Sequence, residues 1–115
     1  MKVLVYNGKE IKFKGGFSLN SKIKSKEVDF LFDAILHLET EEECYQFFED
    51  LCTVNELKAM SQRLVVAKML SDGRVYSDIV ESTGASTATI SRVKRSLEYG
   101  CDSYSLLFAR MEKDV

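Results

Sequence analysis

The stretch Tyr76-Ser77-Asp78-Ile79-Val80-Glu81-Ser82-Thr83, then Gly84-Ala85, then Ser86-Thr87-Ala88-Thr89-Ile90-Ser91-Arg92-Val93-Lys94-Arg95-Ser96-Leu97 decides how this chain is read. It describes a short helix, a glycine turn and a longer helix with a capping residue at its start. Two helices that cross steeply need a turn residue without Cβ strain and apolar contacts that lock the pair. Counting Tyr76 as the first of twenty positions, Gly84 is ninth, Ile79 fourth, Ile90 fifteenth and Val93 eighteenth, the usual glycine and apolar places of a helix-turn-helix. Val80, where alanine is commoner, and Thr83, where an apolar residue is commoner, depart from that pattern.

The second helix of the unit has two faces. At about 100° per residue, Ile90, Val93 and Leu97 lie together on the inward side and leave Ala88, Ser91, Arg92 and Arg95 opposite them. The outward face is small, hydroxylic and basic. Arginine bonds guanine bidentately or grips phosphate, serine and threonine bond either, and alanine meets a thymine methyl. Ser86 and Thr87 sit at the positive end of the helix, where backbone N–H groups hold a phosphate. The expected DNA-binding set is therefore Ser86, Thr87, Ala88, Thr89, Ser91, Arg92, Lys94 and Arg95. A capped, solvated surface helix is the bland alternative, since three basic residues on one helix are common. Against it, residues 84–97 hold Arg92, Lys94 and Arg95 and no acid, in a chain whose charged residues are mostly acidic.

Upstream, Val28, Leu31, Phe32, Ile35 and Leu36 recur at helical spacing behind Ser25 as N-cap, and Thr40 with Glu43 makes a capping box for a helix carrying Cys44, Phe47, Phe48 and Leu51. Thr53 with Glu56 makes another, opening a third helix through about Leu70 that Asp72-Gly73 stops, with Leu57, Met60, Leu64 and Ala67 on one face. Downstream of Gly100, Tyr104, Leu107, Phe108 and Met111 predict a last amphipathic helix beginning at Asp102 or Ser103. The N-terminal residues differ. Val3 to Tyr6, Asn7-Gly8 and Glu10 to Lys14 read as a β-hairpin with a type I′ turn, followed by a Gly15-Gly16 linker. Docking on the rest, pairing with another chain, mobility and an origin as an expression leader all remain open for it. The expected organisation is residues 1–24 as hairpin and basic linker, and residues 25–115 as one all-α domain.

Length and composition fit this reading. The 115 residues suffice for one domain, and 45% hydrophobic with 30% charged residues is ordinary for a folded globular chain. Proline is absent and glycine scarce, as expected of a mostly helical protein. No apolar run approaches the roughly 18 residues of a membrane span, so a cytoplasmic protein is expected, with no membrane partner. The net charge of −2 conceals a partition. Residues 1–26 carry seven lysines against one acid, residues 27–56 carry ten acids and no base, and the remainder is weakly basic. Nucleic acid is bound by local charge, so the mildly acidic pI does not count against it. Lys22, Lys24 and Lys26 read as a solvated linker or as an arm along a DNA backbone.

The residues also exclude much chemistry. Three cysteines without a C-x-x-C pair and one histidine supply neither a disulfide framework, a metal set nor a nucleophile with its base. No cofactor and no enzymatic activity are expected. His37 reads as a cap on C-terminal carbonyls and Glu41 to Glu43 as acids at a helix start.

Gly84-Ala85-Ser86-Thr87-Ala88-Thr89-Ile90-Ser91-Arg92, preceded by Leu51-Cys52-Thr53-Val54-Asn55-Glu56-Leu57 and Gln62-Arg63-Leu64, resembles the Trp repressor superfamily, and more closely its YerC/YecD group. The similarity runs from about Lys24 to Met111. It implies an all-helical, intertwined homodimer whose two helix-turn-helix units enter successive major grooves of double-stranded DNA, and a role as transcriptional regulator, most simply a repressor. It also implies an effector pocket in which Arg92 and Arg63 match the two arginines that hold tryptophan. Val93 departs from the glycine found there, and its branched side chain intrudes on the ligand's space, so tryptophan is not expected as corepressor. The competing reading is a protein-interaction module whose helix-turn-helix is structural and whose acidic residues 27–56 bind a basic partner.

Overall fold

The structure, a computed structural model, describes residues 22–114 and the backbone of residues 2–6 and 9–13. Contacts divide the chain after Phe48 into two units. The first holds strands β1 (Lys2–Tyr6) and β2 (Lys9–Phe13), helix α1 (Lys26–Leu36) and most of α2 (Glu41–Leu51). The strands pair antiparallel with Leu4 opposite Ile11, and both pack against α1. The Asn7-Gly8 turn and the Gly15-Gly16 linker lie outside the described residues.

Helix α1 begins where Ser25 Oγ accepts the Val28 N–H at 3.1 Å, with Glu27 and Asp29 in its positive first turn. Lys24 Nζ meets Asp29 Oδ1 at 2.9 Å. At the other end His37 Nδ1 lies 2.7 Å from the Asp33 carbonyl oxygen, the capping role expected of it. The box opening α2 is displaced by one residue. Thr40 Oγ1 accepts the Glu43 N–H at 3.1 Å, but the Glu43 carboxylate accepts from the N–H of Glu39 and not from that of Thr40.

The second unit is built on α3 (Val54–Ser71), α4 (Tyr76–Thr83), α5 (Thr87–Tyr99) and α6 (Ser103–Lys113). Thr53 and Glu56 form the complete box at the start of α3: Glu56 N–H donates to Thr53 Oγ1 at 3.1 Å and Thr53 N–H to Glu56 Oε1 at 2.8 Å. The Thr53 backbone N–H, and after it the Thr53 hydroxyl, hold the Glu56 carboxyl below the usual carboxylate range. Asp72 and a left-handed Gly73 end the helix one residue later than the apolar pattern suggested.

One small core joins these four helices. Val66 and Ala67 of α3, Ile79 of α4, Ala85 of the turn, Ile90 and Val93 of α5 and Phe108 of α6 are buried together, with Met69, Leu70, Tyr76 and Tyr104 packed around them. Each fully buried valine or isoleucine contributes roughly 1.5–3 kcal/mol. Of the stripe Leu57, Met60, Leu64 and Ala67 expected along α3, Ala67 enters this core, whereas Met60 and Leu64 stay exposed and Leu57 is half-buried; Val66, Met69 and Leu70 take the other inward places. The reason is geometric. Helices α4 and α5 approach the C-terminal half of α3 from one side, and the N-terminal stripe is left without cover from this chain's second unit.

Candidate nucleic-acid interface

Gly84 closes α4 with φ 71° and ψ 6°, the left-handed conformation the turn requires, and nothing occupies the space where a Cβ would stand. Thr83 completes the turn. Its Oγ1 donates to the Ile79 carbonyl at 2.7 Å and accepts the Ala85 N–H at 3.1 Å, while Gln62 Nε2 of α3 donates to the Thr83 carbonyl at 3.1 Å. The departure from the apolar pattern at this position is thus a hydroxyl that satisfies backbone groups the reversal of direction leaves open. Gln62, which the sequence marks only as a polar residue off the apolar stripe, ties the turn to α3. A glutamine at a half-buried position is the one signal it offers.

Ser86 then caps α5, its Oγ accepting the Thr89 N–H at 3.1 Å and donating to Thr89 Oγ1 at 3.0 Å. With Ile90 and Val93 held in the core and Leu97 half-buried, the helix cannot rotate. Its other face therefore presents Ser86, Thr87, Ala88, Ser91, Arg92 and Arg95 to solvent, with Thr89 half-covered. Lys94 behaves differently: its Nζ lies 5.7 Å from the centroid of the Tyr76 ring, turned toward the start of α4. Among the described residues, neither Arg92 nor Arg95 has an acidic partner within 4.0 Å, whereas Arg74 pairs with Asp78 at 3.5 Å. Two guanidinium groups without acidic partners, beside small hydroxylic side chains, suit a polyanion.

Of the residues considered for an effector pocket, Val93 is buried, and Arg63 and Arg92 are exposed. Val93 is 3% exposed and belongs to the core. Arg63 is exposed on α3, and Arg92 lines an open notch with Arg95, Ser96, Tyr99 and Gly100 that includes neither Arg63 nor Val93. Among the described residues no group of histidine, cysteine or acidic side chains is placed to hold a metal ion, and no helix is long and apolar enough to cross a membrane. Cys44, Cys52 and Cys101 are free thiols.

A glycine-turned helix pair locked by Ile79, Ile90 and Val93, whose second helix displays Arg92 and Arg95, defines a helix-turn-helix domain of the regulator type. The Trp repressor protein family matches residues 26–112, and the chain belongs to that family, one of DNA-binding regulators and not of enzymes. It is 54% identical over 92 residues to the uncharacterized protein YerC of Bacillus subtilis (strain 168), covering 80% of this chain and 88% of that one. The crystal structure of a TrpR-like protein from Eubacterium eligens superimposes with a TM-score of 0.78 at 57% identity, covering 81% of this chain and 96% of the other. A Staphylococcus aureus chain proposed to be a Trp repressor gives a TM-score of 0.77 at 59% identity, over 79% and 91%.

Proposed function

We propose that this protein is a sequence-specific, DNA-binding transcriptional regulator, a repressor acting as a homodimer in the cytoplasm, with residues 25–115 as the binding domain and residues 1–24 as an appendage. The observation that carries the reading is the face of α5: Ile90 and Val93 are fixed in the core, and Arg92 and Arg95 project from the opposite side with Thr87, Ala88 and Ser91 and without any acidic partner among the described residues. Ser86 and Thr87 hold a phosphate at the helix start, the first turns read base edges, and Lys94 supports from the flank. Dimerisation is supported by Leu64 and Val65 of α3 and Leu106, Leu107 and Met111 of α6, all 43–59% exposed, too much apolar surface for one small chain to leave in water. A two-fold dimer sets its recognition helices about 34 Å apart, one turn of duplex.

Selection of bound sequences from random duplexes, followed by titration across salt, tests this directly. Binding should weaken steeply with salt, and Arg92→Ala should cost about 1–3 kcal/mol of affinity while the thermal midpoint is kept. A chain with no duplex affinity at any salt would instead be an interaction module using the acidic surface of residues 27–56.

A further inference from the structure

The C-terminal half of α5 extends Arg92 and Arg95 of the DNA-binding set into a notch with Ser96, Tyr99 and Gly100, which that set does not include. Arg92, Arg95, Ser96 and Tyr99 recur at i, i+3, i+4 and i+7, one stripe of the helix, and with Gly100 they line an open notch of about 270 Å³. Its chemistry has one sign: two guanidinium groups and a phenol, with no carboxylate in the lining. The Ser96 hydroxyl already donates to the Arg92 carbonyl at 3.2 Å, so it shapes the wall and leaves the donating to its neighbours. Tyr99 is 80% exposed, an aromatic side chain held in water at the helix end. A side chain at Gly100 would drive its Cβ into the Ser96 carbonyl, so the chain leaves the helix bare at the notch's edge.

Helix length then says what reaches this place. From Ser86 to Tyr99 is thirteen residues, about 20 Å at ~1.5 Å each, while a major groove is about 12 Å wide. A helix whose first turns touch base edges carries its last turn past the groove wall, where the sugar-phosphate backbone runs. Resting on the DNA-binding reading, we propose that the notch seats one backbone phosphodiester flanking the bases read by the first turns. Arg95 grips the phosphate oxygens, and Tyr99 lies along the adjoining sugar with its hydroxyl donating to the same phosphate. An open site lined by exposed side chains leaves a small anion largely hydrated and holds it weakly; a duplex brings the phosphate in on a polyanion whose counterions are released.

The test uses the full chain, the duplex obtained by selection and a scrambled duplex of the same length. Fluorescence anisotropy across salt would compare the wild type with Arg95→Ala, Tyr99→Ala and Tyr99→Phe. Phosphate ethylation interference would locate the contact, and sedimentation and thermal melting would monitor assembly and fold. Arg95→Ala should lose about tenfold on both duplexes and lower the salt slope by about one. Tyr99→Ala should lose severalfold on both, and ethylation of one flanking phosphate should impair the wild type but not the Arg95→Ala, Tyr99→Ala double variant. Wild-type affinity and slope in the variants would overturn the assignment and leave the DNA-binding reading standing. So would a loss confined to one base position, inhibition by inorganic phosphate at millimolar concentration matching that by duplex, or a weakened dimer with an unchanged slope. If the wild type binds no duplex, the functional reading falls and the notch assignment with it.

Discussion

At the scale of single residues, the turn between α4 and α5 separates what spacing reveals from what it hides. Gly84 is legible from its place between two apolar sets, because a left-handed backbone favours glycine whatever surrounds it. Gly84→Ala should therefore cost about 1–2 kcal/mol of stability through backbone strain alone, as no atom lies within 4 Å of the added methyl; denaturant melts would show a lower midpoint with an unchanged slope. The roles of Thr83 and Gln62 are not legible in this way. Each depends on a partner set by the folded backbone, a carbonyl four residues back for the threonine and one 21 residues downstream for the glutamine. Gln62→Ala should leave the Thr83 carbonyl without its donor and cost about 1 kcal/mol, and hydrogen exchange should show the turn at Ala85 opening more readily than in the wild type.

At the scale of elements, the caps were readable wherever the capping residue and its partner lie within one turn, as at Ser25, Thr53 and Ser86. The start of α6 was less so: Asp102 stands at the cap in a left-handed conformation, φ 61°, and its side chain makes no cap bond. The box at α3 gives a pH dependence with a definite sign. The Glu56 carboxyl is held below its ordinary range by the Thr53 backbone N–H and then by the Thr53 hydroxyl, so its contribution to stability is fully present above the ordinary carboxylate range. It is lost as pH falls through the depressed value. Glu56→Gln should thus lower the thermal midpoint at neutral pH, and the gap from the wild type should close in acid; a gap that widens there would refute the assignment. Lys68 runs the other way, raised chiefly by its hydrogen bond to Asp72, and its contribution fades only at alkaline pH as that raised value is passed.

At the scale of the whole molecule, periodicity marks which residues are apolar but not which apolar residues one chain can cover, and for that reason the α3 stripe does not by itself reveal that Met60 and Leu64 stay in water. Leu64, Val65, Phe108 and Met111 line an apolar hollow of about 410 Å³, rimmed by Lys68 and Glu112 at 3.5 Å. If the proposed homodimer closes over this hollow, the wild type should sediment as a dimer at micromolar concentration and Leu64→Glu should shift it toward monomer; a monomeric wild type would remove the dimer, and an unchanged dimeric variant would place its contact elsewhere. Regulation follows from what fills the interior. The family resemblance would set Arg92 and Arg63 at clamp positions, yet a ligand the size of an indole must be enclosed, and Val93 is buried in the core with Val66, Ile79 and Ile90. With Val93 buried in the core, the recognition helix is expected to be held without a bound corepressor. Two results should follow together. Calorimetry should detect no micromolar tryptophan binding, and the selected duplex should bind equally well with and without the amino acid. Val93→Gly should not restore a pocket so much as remove a support, costing about 3 kcal/mol from the lost buried side chain and the added backbone freedom. Tryptophan binding to the wild type with a matching gain in DNA affinity would show that the core opens at Val93 after all.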